Sequence, residues 1–312
     1  MRSASTRTTE SAARRWLAAA AASAGRVADH PALWLPGGLA WLTTIGWVPF
    51  VAAVVRPPSV AELTYLGSAF WTSGLWPLNA ILLAAGAVAV VVLALALASA
   101  GNAVLVAGAE GRQSSMREAS DHLVVALLGA VPVALCVLIV AVAIVAVGPS
   151  EFNRPGDSSP LLRVVVRIAP LLVFGGVVAV AASTLSGLAG RAAMREGSVT
   201  SGLAGAPALV GRAGPAGLWH LAASVTIGAG YLILSGLLLV VLWAPIRSTL
   251  QNGASLDLAG GLLLVGFVAI WLCLVLAGGA LHAWASMTAT ILLGGRTTSN
   301  VAERPQEMLL DR

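Results

Sequence analysis

Six apolar stretches, each long enough to cross a lipid bilayer, constrain this chain more than any other feature. About 20 apolar residues in a helix cover the roughly 30 Å of hydrocarbon in a bilayer. Backbone amides inside lipid need internal partners, so each stretch is predicted to be a helix rather than a strand. The predicted fold class is therefore an all-α membrane protein with six transmembrane helices. The predicted spans cover residues 33–55, 75–98, 123–147, 161–190, 218–243 and 258–282.

The composition agrees with a membrane protein and excludes a soluble domain. Of the 312 residues, 58% are hydrophobic and only 10% are charged, and the mean hydropathy is +0.90. Soluble domains carry about 25% charged residues. All 18 basic residues are arginine, and they are scattered without interleaved aromatic residues. The basic character therefore does not predict a nucleic-acid partner. The lipid bilayer is the partner that we expect.

The arginines are distributed unequally between the two sides of the predicted spans. Cytoplasmic loops of membrane proteins carry an excess of basic residues. The sequence therefore predicts a multi-pass protein of the inner (plasma) membrane with both termini in the cytoplasm. The 13 arginines on the predicted inner side are Arg2, Arg7, Arg14, Arg15, Arg26, Arg112, Arg117, Arg191, Arg195, Arg212, Arg296, Arg304 and Arg312. The five on the outer side are Arg56, Arg154, Arg163, Arg167 and Arg247.

Three regions are predicted along the chain. Residues 1–30 form a cytoplasmic N-terminal segment with a helix lying on the membrane surface. Residues 31–294 form one six-helix transmembrane bundle, and residues 295–312 form a disordered cytoplasmic tail. Arginines at the edges of an apolar face are typical of a surface helix. The predicted apolar face consists of Trp16, Leu17, Ala20, Ala24 and Val27.

A short pattern recurs after each even-numbered span, where a glycine is followed four residues later by a serine. Glycine ends a helix in the left-handed conformation, and serine begins the next helix as its N-cap. Ser115 and Glu118 also match the S-x-x-E pattern of a capping box. The recurrence predicts three repeated helical hairpins. The three copies are Gly111 with Ser115, Gly197 with Ser201, and Gly295 with Ser299.

The loop after the fourth span carries a family resemblance. Residues 192–197 read Ala-Ala-Met-Arg-Glu-Gly and precede a stretch rich in small residues. A six-span bundle with such loops resembles the uncharacterised bacterial membrane families related to the membrane domain of glycerophosphoryl diester phosphodiesterases. The resemblance covers roughly residues 31–294 and implies a six-helix membrane fold. It implies no reaction, because the soluble phosphodiesterase domain of some relatives has no counterpart in this sequence.

Polar residues near the ends of the spans are the candidates for a functional site, because polar groups are costly to bury in lipid. With both termini inside, they gather at the cytoplasmic ends of the spans. Three histidines at one depth suggest a metal site or a proton relay, but no two of them have ligand spacing. We interpret them as interface and interhelical hydrogen-bonding groups and expect no metal or cofactor. This predicted polar cluster is Asn102, His122, Ser183, His220 and His282.

The fourth span carries small residues at intervals of four, which allow another helix to approach closely. This small-residue seam consists of Gly175, Ala179, Ser183 and Gly187. It suits a packing seam inside the monomer, which we favour, or a seam for a second copy or another partner.

The usual catalytic signatures are missing from the sequence. It contains no P-loop, no zinc-protease helix, no nucleophile elbow and no carboxylate pair inside a span. We therefore expect a non-enzymatic scaffold or a subunit of a membrane assembly, with a membrane or cytoplasmic protein partner on the inner face. The alternative is a transporter or permease subunit for a small or lipid-like substrate, since the spans hold little charge to conduct ions.

Overall fold

The computed structural model describes residues 3–56, 60–154, 159–251 and 258–294, and these ranges contain helices but no strand. The predicted tail, residues 295–312, lies outside the described residues. A short 3-10 turn, Pro31–Leu33, precedes α2. The helices are α1 Ser3–Asp29, α2 Trp34–Trp41, α3 Val48–Val54, α4 Val60–Trp71, α5 Leu78–Ala109, α6 Met116–Phe152, α7 Pro160–Glu196, α8 Val199–Gln251 and α9 Leu258–Gly294.

Five of these helices are long and apolar enough to cross a membrane. They are α5, α6, α7, the Ala213–Leu250 part of α8, and α9. The segments Pro31–Gly46 and Val48–Val54 make a sixth span if the bent pair is counted as one. By length and composition, the predicted class of an all-α membrane protein is confirmed, with five spans rather than the predicted six unless the bent pair counts as one.

The first predicted span is a broken helix rather than a continuous one. A wider π-helical turn, Leu42–Gly46, separates α2 from α3. The segment Pro31–Gly46 is bent by 52° relative to Val48–Val54. Pro49 has no N–H to donate to the carbonyl of Ile45, so the regular hydrogen-bond ladder is interrupted there. The hydroxyl of Thr43 donates to the carbonyl of Leu39 at 2.7 Å, a type of bond that often bends helices. Apolar length alone did not indicate this break.

The turn between α5 and α6 has the predicted caps. Gly111 has φ 70°, the left-handed conformation that ends a helix. The N–H of Ser115 donates to the Glu118 carboxylate at 3.1 Å, and the N–H of Glu118 donates to Ser115 Oγ at 3.2 Å. This reciprocal pair is the capping box that the sequence predicted.

The turn between α7 and α8 has only half of the predicted pattern. Gly197 has φ 67°, and its N–H donates to the carbonyl of Ala193 at 2.8 Å. The N-cap prediction for Ser201 is wrong, because α8 already begins at Val199 and Ser201 lies inside it. The connection is shorter than the one before α6, so the serine four residues on is too late to start the helix. The third copy, residues 295–299, lies outside the described residues.

The chain divides into two compact units by its internal contacts. Unit 1 comprises Met1–Ala119 and Gly211–Arg312, and unit 2 comprises Ser120–Val210. In unit 1, α2 packs against both α5 and α9. A Cβ added to Gly279 of α9 would lie 2.5 Å from the carbonyl oxygen of Trp34, and one added to Gly101 of α5 would lie 2.5 Å from that of Pro36. Glycines therefore permit direct backbone contact across these helices.

The N-terminal helix α1 packs against α9 in unit 1. Its Ala20 carbonyl accepts a hydrogen bond from the Trp284 indole at 3.0 Å. Two members of the predicted apolar face, Leu17 and Ala24, are exposed. The buried stripe is instead rotated around the helix. Its buried residues are Ala12, Ala19, Ala20, Ser23 and Val27, with Trp16 partly buried.

In unit 2, α6, α7 and the start of α8 form a small core. Its buried residues are Val125 on α6, Ala189 and Ala193 on α7, and Ala206 on α8. Gly202 lies so close to α7 that a Cβ there would be 2.6 Å from the Ala193 Cβ. A left-handed residue, Gly214 with φ 52°, then interrupts α8 beyond this unit.

Candidate functional site

Two members of the predicted polar cluster meet directly in unit 1. The Nε2 atom of His282 on α9 lies 3.0 Å from Oδ1 of Asn102 on α5. Both side chains are partly buried, next to the close approach of α2 at Gly101. A polar pair between apolar helices satisfies both groups where water is scarce. The geometry of this pair fits a hydrogen bond between α5 and α9.

His220, a third member of the cluster, lies elsewhere in unit 1. Its Nε2 is 3.5 Å from Ser224 Oγ on the same helix, and its ring lies 6.5 Å from the ring of Trp284. The Trp284 indole also holds α1, so His220 contacts the place where α1 meets α9. Among the residues that the structure describes, no group of three His, Cys, Asp or Glu side chains could hold a metal ion.

The remaining two members, His122 and Ser183, belong to unit 2. His122 is buried beside Gly190, where an added Cβ would lie 2.6 Å from the imidazole ring. Ser183 is exposed, and its hydroxyl donates to the carbonyl of Val180 in its own helix at 3.0 Å. The Ser183 hydroxyl therefore has its hydrogen-bond partner within α7. His122, in contrast, fills space between α6 and α7.

The predicted small-residue seam is less closely packed than its neighbouring positions. A Cβ at Gly175 would meet Cys136 at an ordinary 3.7 Å, and Gly187 lies near Arg191 of its own helix. Ala179 is half-buried. A closer approach of α6 and α7 than at these seam positions involves Gly129, where an added Cβ would lie 2.7 Å from Ser186 Cβ.

An apolar pocket opens between α6, α7 and the first part of α8 in unit 2. Its volume is about 350 Å³. The Ser186 hydroxyl contributes a polar group to an otherwise aliphatic lining, which suits an apolar ligand such as an acyl chain. The lining residues are Val125, Leu128, Gly129, Pro132, Ala182, Leu185, Ser186, Ala189, Leu203, Ala206 and Pro207.

Sequence reasoning missed a charged cluster where α6 ends and α7 begins, within unit 2. The carboxylate of Glu151 is almost fully buried, with 6% of the side chain exposed. It accepts a hydrogen bond from Arg167 Nη1 at 2.6 Å and lies 3.4 Å from Arg163 Nε. Arg163 Nη2 also donates to the carbonyls of Glu151 at 2.7 Å and Arg154 at 2.9 Å.

This cluster explains why α7 tolerates two arginines near its start. Arg163 and Arg167 are four residues apart, so they lie on one face of the helix. A buried carboxylate offsets part of their positive charge, which is costly to leave alone in lipid. The available signal was the spacing of the two arginines, together with Glu151 at the end of the preceding span.

A second charged network stabilises the turn between α5 and α6. Arg112 contacts Glu110 at 2.8 Å and Glu118 at 2.5 Å. Partial burial by itself lowers the pKa of Arg112, but hydrogen bonds and the negative charges of Glu110 and Glu118 raise it above its ordinary value overall. The guanidinium therefore stays charged, and its stabilising effect is lost only when the pH rises past this raised pKa.

The described helices define the class of a multi-pass helical membrane protein, with five continuous spans or six if the bent pair is one span. No protein-family model, curated protein or solved structure matches the chain. The comparisons therefore leave the resemblance to the phosphodiesterase-related membrane families a prediction.

Proposed function

We propose that this protein is a non-enzymatic subunit of a membrane assembly, in which the first half of α5 packs against an apolar helix of a partner protein. One observation carries this proposal. Residues 81–93 of α5 are all exposed. A run of that length covers more than three helical turns at 3.6 residues per turn. No face of this segment is therefore buried by the described residues of unit 1, to which it belongs.

The second half of α5 behaves differently. Leu105 and Val106 are fully buried, and Gly101 allows close contact with α2. Both halves are apolar, so composition does not separate them. Helix association in lipid depends on close packing of small residues rather than on hydrophobicity. The exposed half carries such residues at Ala84, Ala85, Gly86, Ala87 and Ala89, which supports a partner helix at this surface.

Site-specific photo-crosslinking in intact membranes tests this proposal. A probe replacing Leu83 or Val88 is expected to give a discrete protein adduct. Val173 on α7 is the control, since it is also exposed and aliphatic but belongs to unit 2. Lipid adducts alone from the α5 probes, or the same protein adducts from Val173, would contradict the proposal. The size of the adduct separates a second copy from a different protein.

The alternative function is a transporter or permease subunit for a lipid-like substrate. The apolar pocket of about 350 Å³ in unit 2 favours this candidate. Replacing Ala182 with tryptophan would fill the pocket. Under this alternative, the change is expected to reduce retention of a spin-labelled fatty acid by the purified protein. Equal retention by the variant would exclude the pocket as the binding site.

The proposed orientation places both termini in the cytoplasm of a bacterial cell. The 13 to five division of the 18 arginines supports this orientation. We also propose that the inner face is a second contact surface. The predicted inner side carries the Gly-x-x-x-Ser turns that follow the even-numbered spans, and it carries most of the arginines. The caps at Gly111 and Gly197 support a repeated hairpin, although Ser201 departs from the pattern.

A further inference from the structure

A charged group lies where α6 ends and α7 begins. We infer that this Glu151 cluster, which consists of Glu151, Arg154, Arg163 and Arg167, binds the phosphate group of an anionic lipid. All four residues belong to unit 2. The inference goes beyond the proposed assembly, since it concerns another helix pair and another kind of ligand.

The buried carboxylate fixes the direction of two guanidinium groups. Glu151 Oε1 accepts from Arg167 Nη1 at 2.6 Å, while Oε2 faces Arg163 Nε at 3.4 Å. Arg163 is held further by two backbone carbonyls, at 2.7 and 2.9 Å. A guanidinium that is fixed in this way loses less conformational entropy when it binds a ligand. The cluster is therefore organised before any anion arrives.

Positive charge exceeds negative charge in the cluster. One carboxylate faces three guanidinium groups, and the charge of each acts on it. The other described carboxylates of unit 2, Asp121 and Glu196, lie at the opposite ends of α6 and α7. Excess positive charge at a membrane boundary attracts an anion strongly, because the local dielectric constant is low.

Arg167 provides the donors for such an anion. Its side chain is 59% exposed, whereas that of Arg163 is only 17% exposed. A guanidinium has five N–H donors, and the hydrogen bond described for Arg167 uses one Nη1 donor for Glu151. The remaining donors form the flat, two-pronged edge that matches two oxygens of a phosphate.

The surroundings of the cluster favour a lipid over a free phosphate ion. Arg167 lies two turns inside α7, on a segment that also carries the exposed aliphatic side chains Leu162 and Val166. Val145, one to two turns before the end of α6, is also exposed. A lipid phosphate at the junction would place its acyl chains along these residues. Inorganic phosphate would gain nothing from them.

Native mass spectrometry of the full chain in detergent, titrated with phosphatidylglycerol, tests the inference. The wild-type protein is expected to retain phosphatidylglycerol more tightly than phosphatidylcholine. R167Q should weaken phosphatidylglycerol binding by about tenfold or more, as expected for a lost charge-assisted hydrogen bond. R247Q is the matched control, because it also removes one arginine but lies outside the Glu151 cluster. Arg247 donates instead to the backbone carbonyl of Ala53 at 3.3 Å. Equal weakening by both variants would overturn the inference.

The variant E151Q distinguishes two explanations of lipid binding: a site in which Glu151 positions the arginines, and attraction by net positive charge alone. This variant makes the cluster more positive but removes the group that directs the arginines. A similar tenfold loss supports the organised site, whereas unchanged or tighter binding would overturn it. R167K keeps the charge without the two-pronged edge, so an intermediate loss is expected if it folds, as checked by thermal unfolding. Displacement of the lipid by an equal concentration of inorganic phosphate would rule out a lipid ligand.

Discussion

Asn102 and His282 are 180 residues apart in the sequence, and their side chains meet at 3.0 Å between α5 and α9. Both helices are apolar around their whole circumference in the spanning segments. The pair is therefore a directional contact between two helices whose other contacts are mainly apolar. It fixes the rotation of each helix about its own axis, because only one face of each helix carries the polar group.

The first prediction concerns the strength of this contact. A double-mutant cycle with N102A and H282A is expected to show a coupling of about 0.6–2 kcal/mol, the range for hydrogen bonds between membrane helices. The free energy of unfolding in mixed detergent micelles is the measurement. A parallel cycle with N79A and H282A should show no coupling, since Asn79 lies six helical turns away along α5. Coupling in both cycles would mean that the effect is indirect.

The second prediction concerns the crossing of α2 and α9. G279A is expected to destabilise the protein by about 1–3 kcal/mol, because the added methyl group meets backbone atoms that cannot move independently. Gly266 in the same helix is the matched control, since nothing lies within 4 Å of a Cβ built there. G266A should be neutral or stabilising by up to about 1 kcal/mol. Equal effects of the two variants in thermal unfolding would place the crossing elsewhere.

The third prediction compares two serines on α7. S186L is expected to cost about 1–3 kcal/mol of stability through overpacking against Gly129. S183L should cost less, because Ser183 is exposed. Thermal unfolding of the two variants in one detergent gives the comparison. A larger loss for S183L would instead favour the small-residue seam predicted from the sequence.

The fourth prediction concerns topology. Reporter fusions after Gly156 and after Ser198 should report opposite sides of the membrane, because α7 lies between these two sites. A fusion after Ser198 should report the cytoplasm if both termini are inside. Identical reports from both fusions would show that α7 does not cross the membrane.

Much of the helical framework could be predicted from the sequence. The limits of the spans follow from apolar length, which is a local property of the chain. The caps at Gly111 and Ser115 are also local, since they involve residues within one turn. The N-cap prediction for Ser201 was wrong because α8 begins two residues after Gly197, whereas α6 begins five residues after Gly111.

The sequence by itself determined the class of this protein and the approximate limits of its membrane spans. Tertiary structure alone decided which residues meet, including Asn102 with His282, Gly279 with α2, and Glu151 with Arg163 and Arg167. The reason is physical: a helix that is apolar all around gives no amphipathic signal of the side it packs on. Helix rotation and the buried stripe of α1 depend on contacts between distant segments.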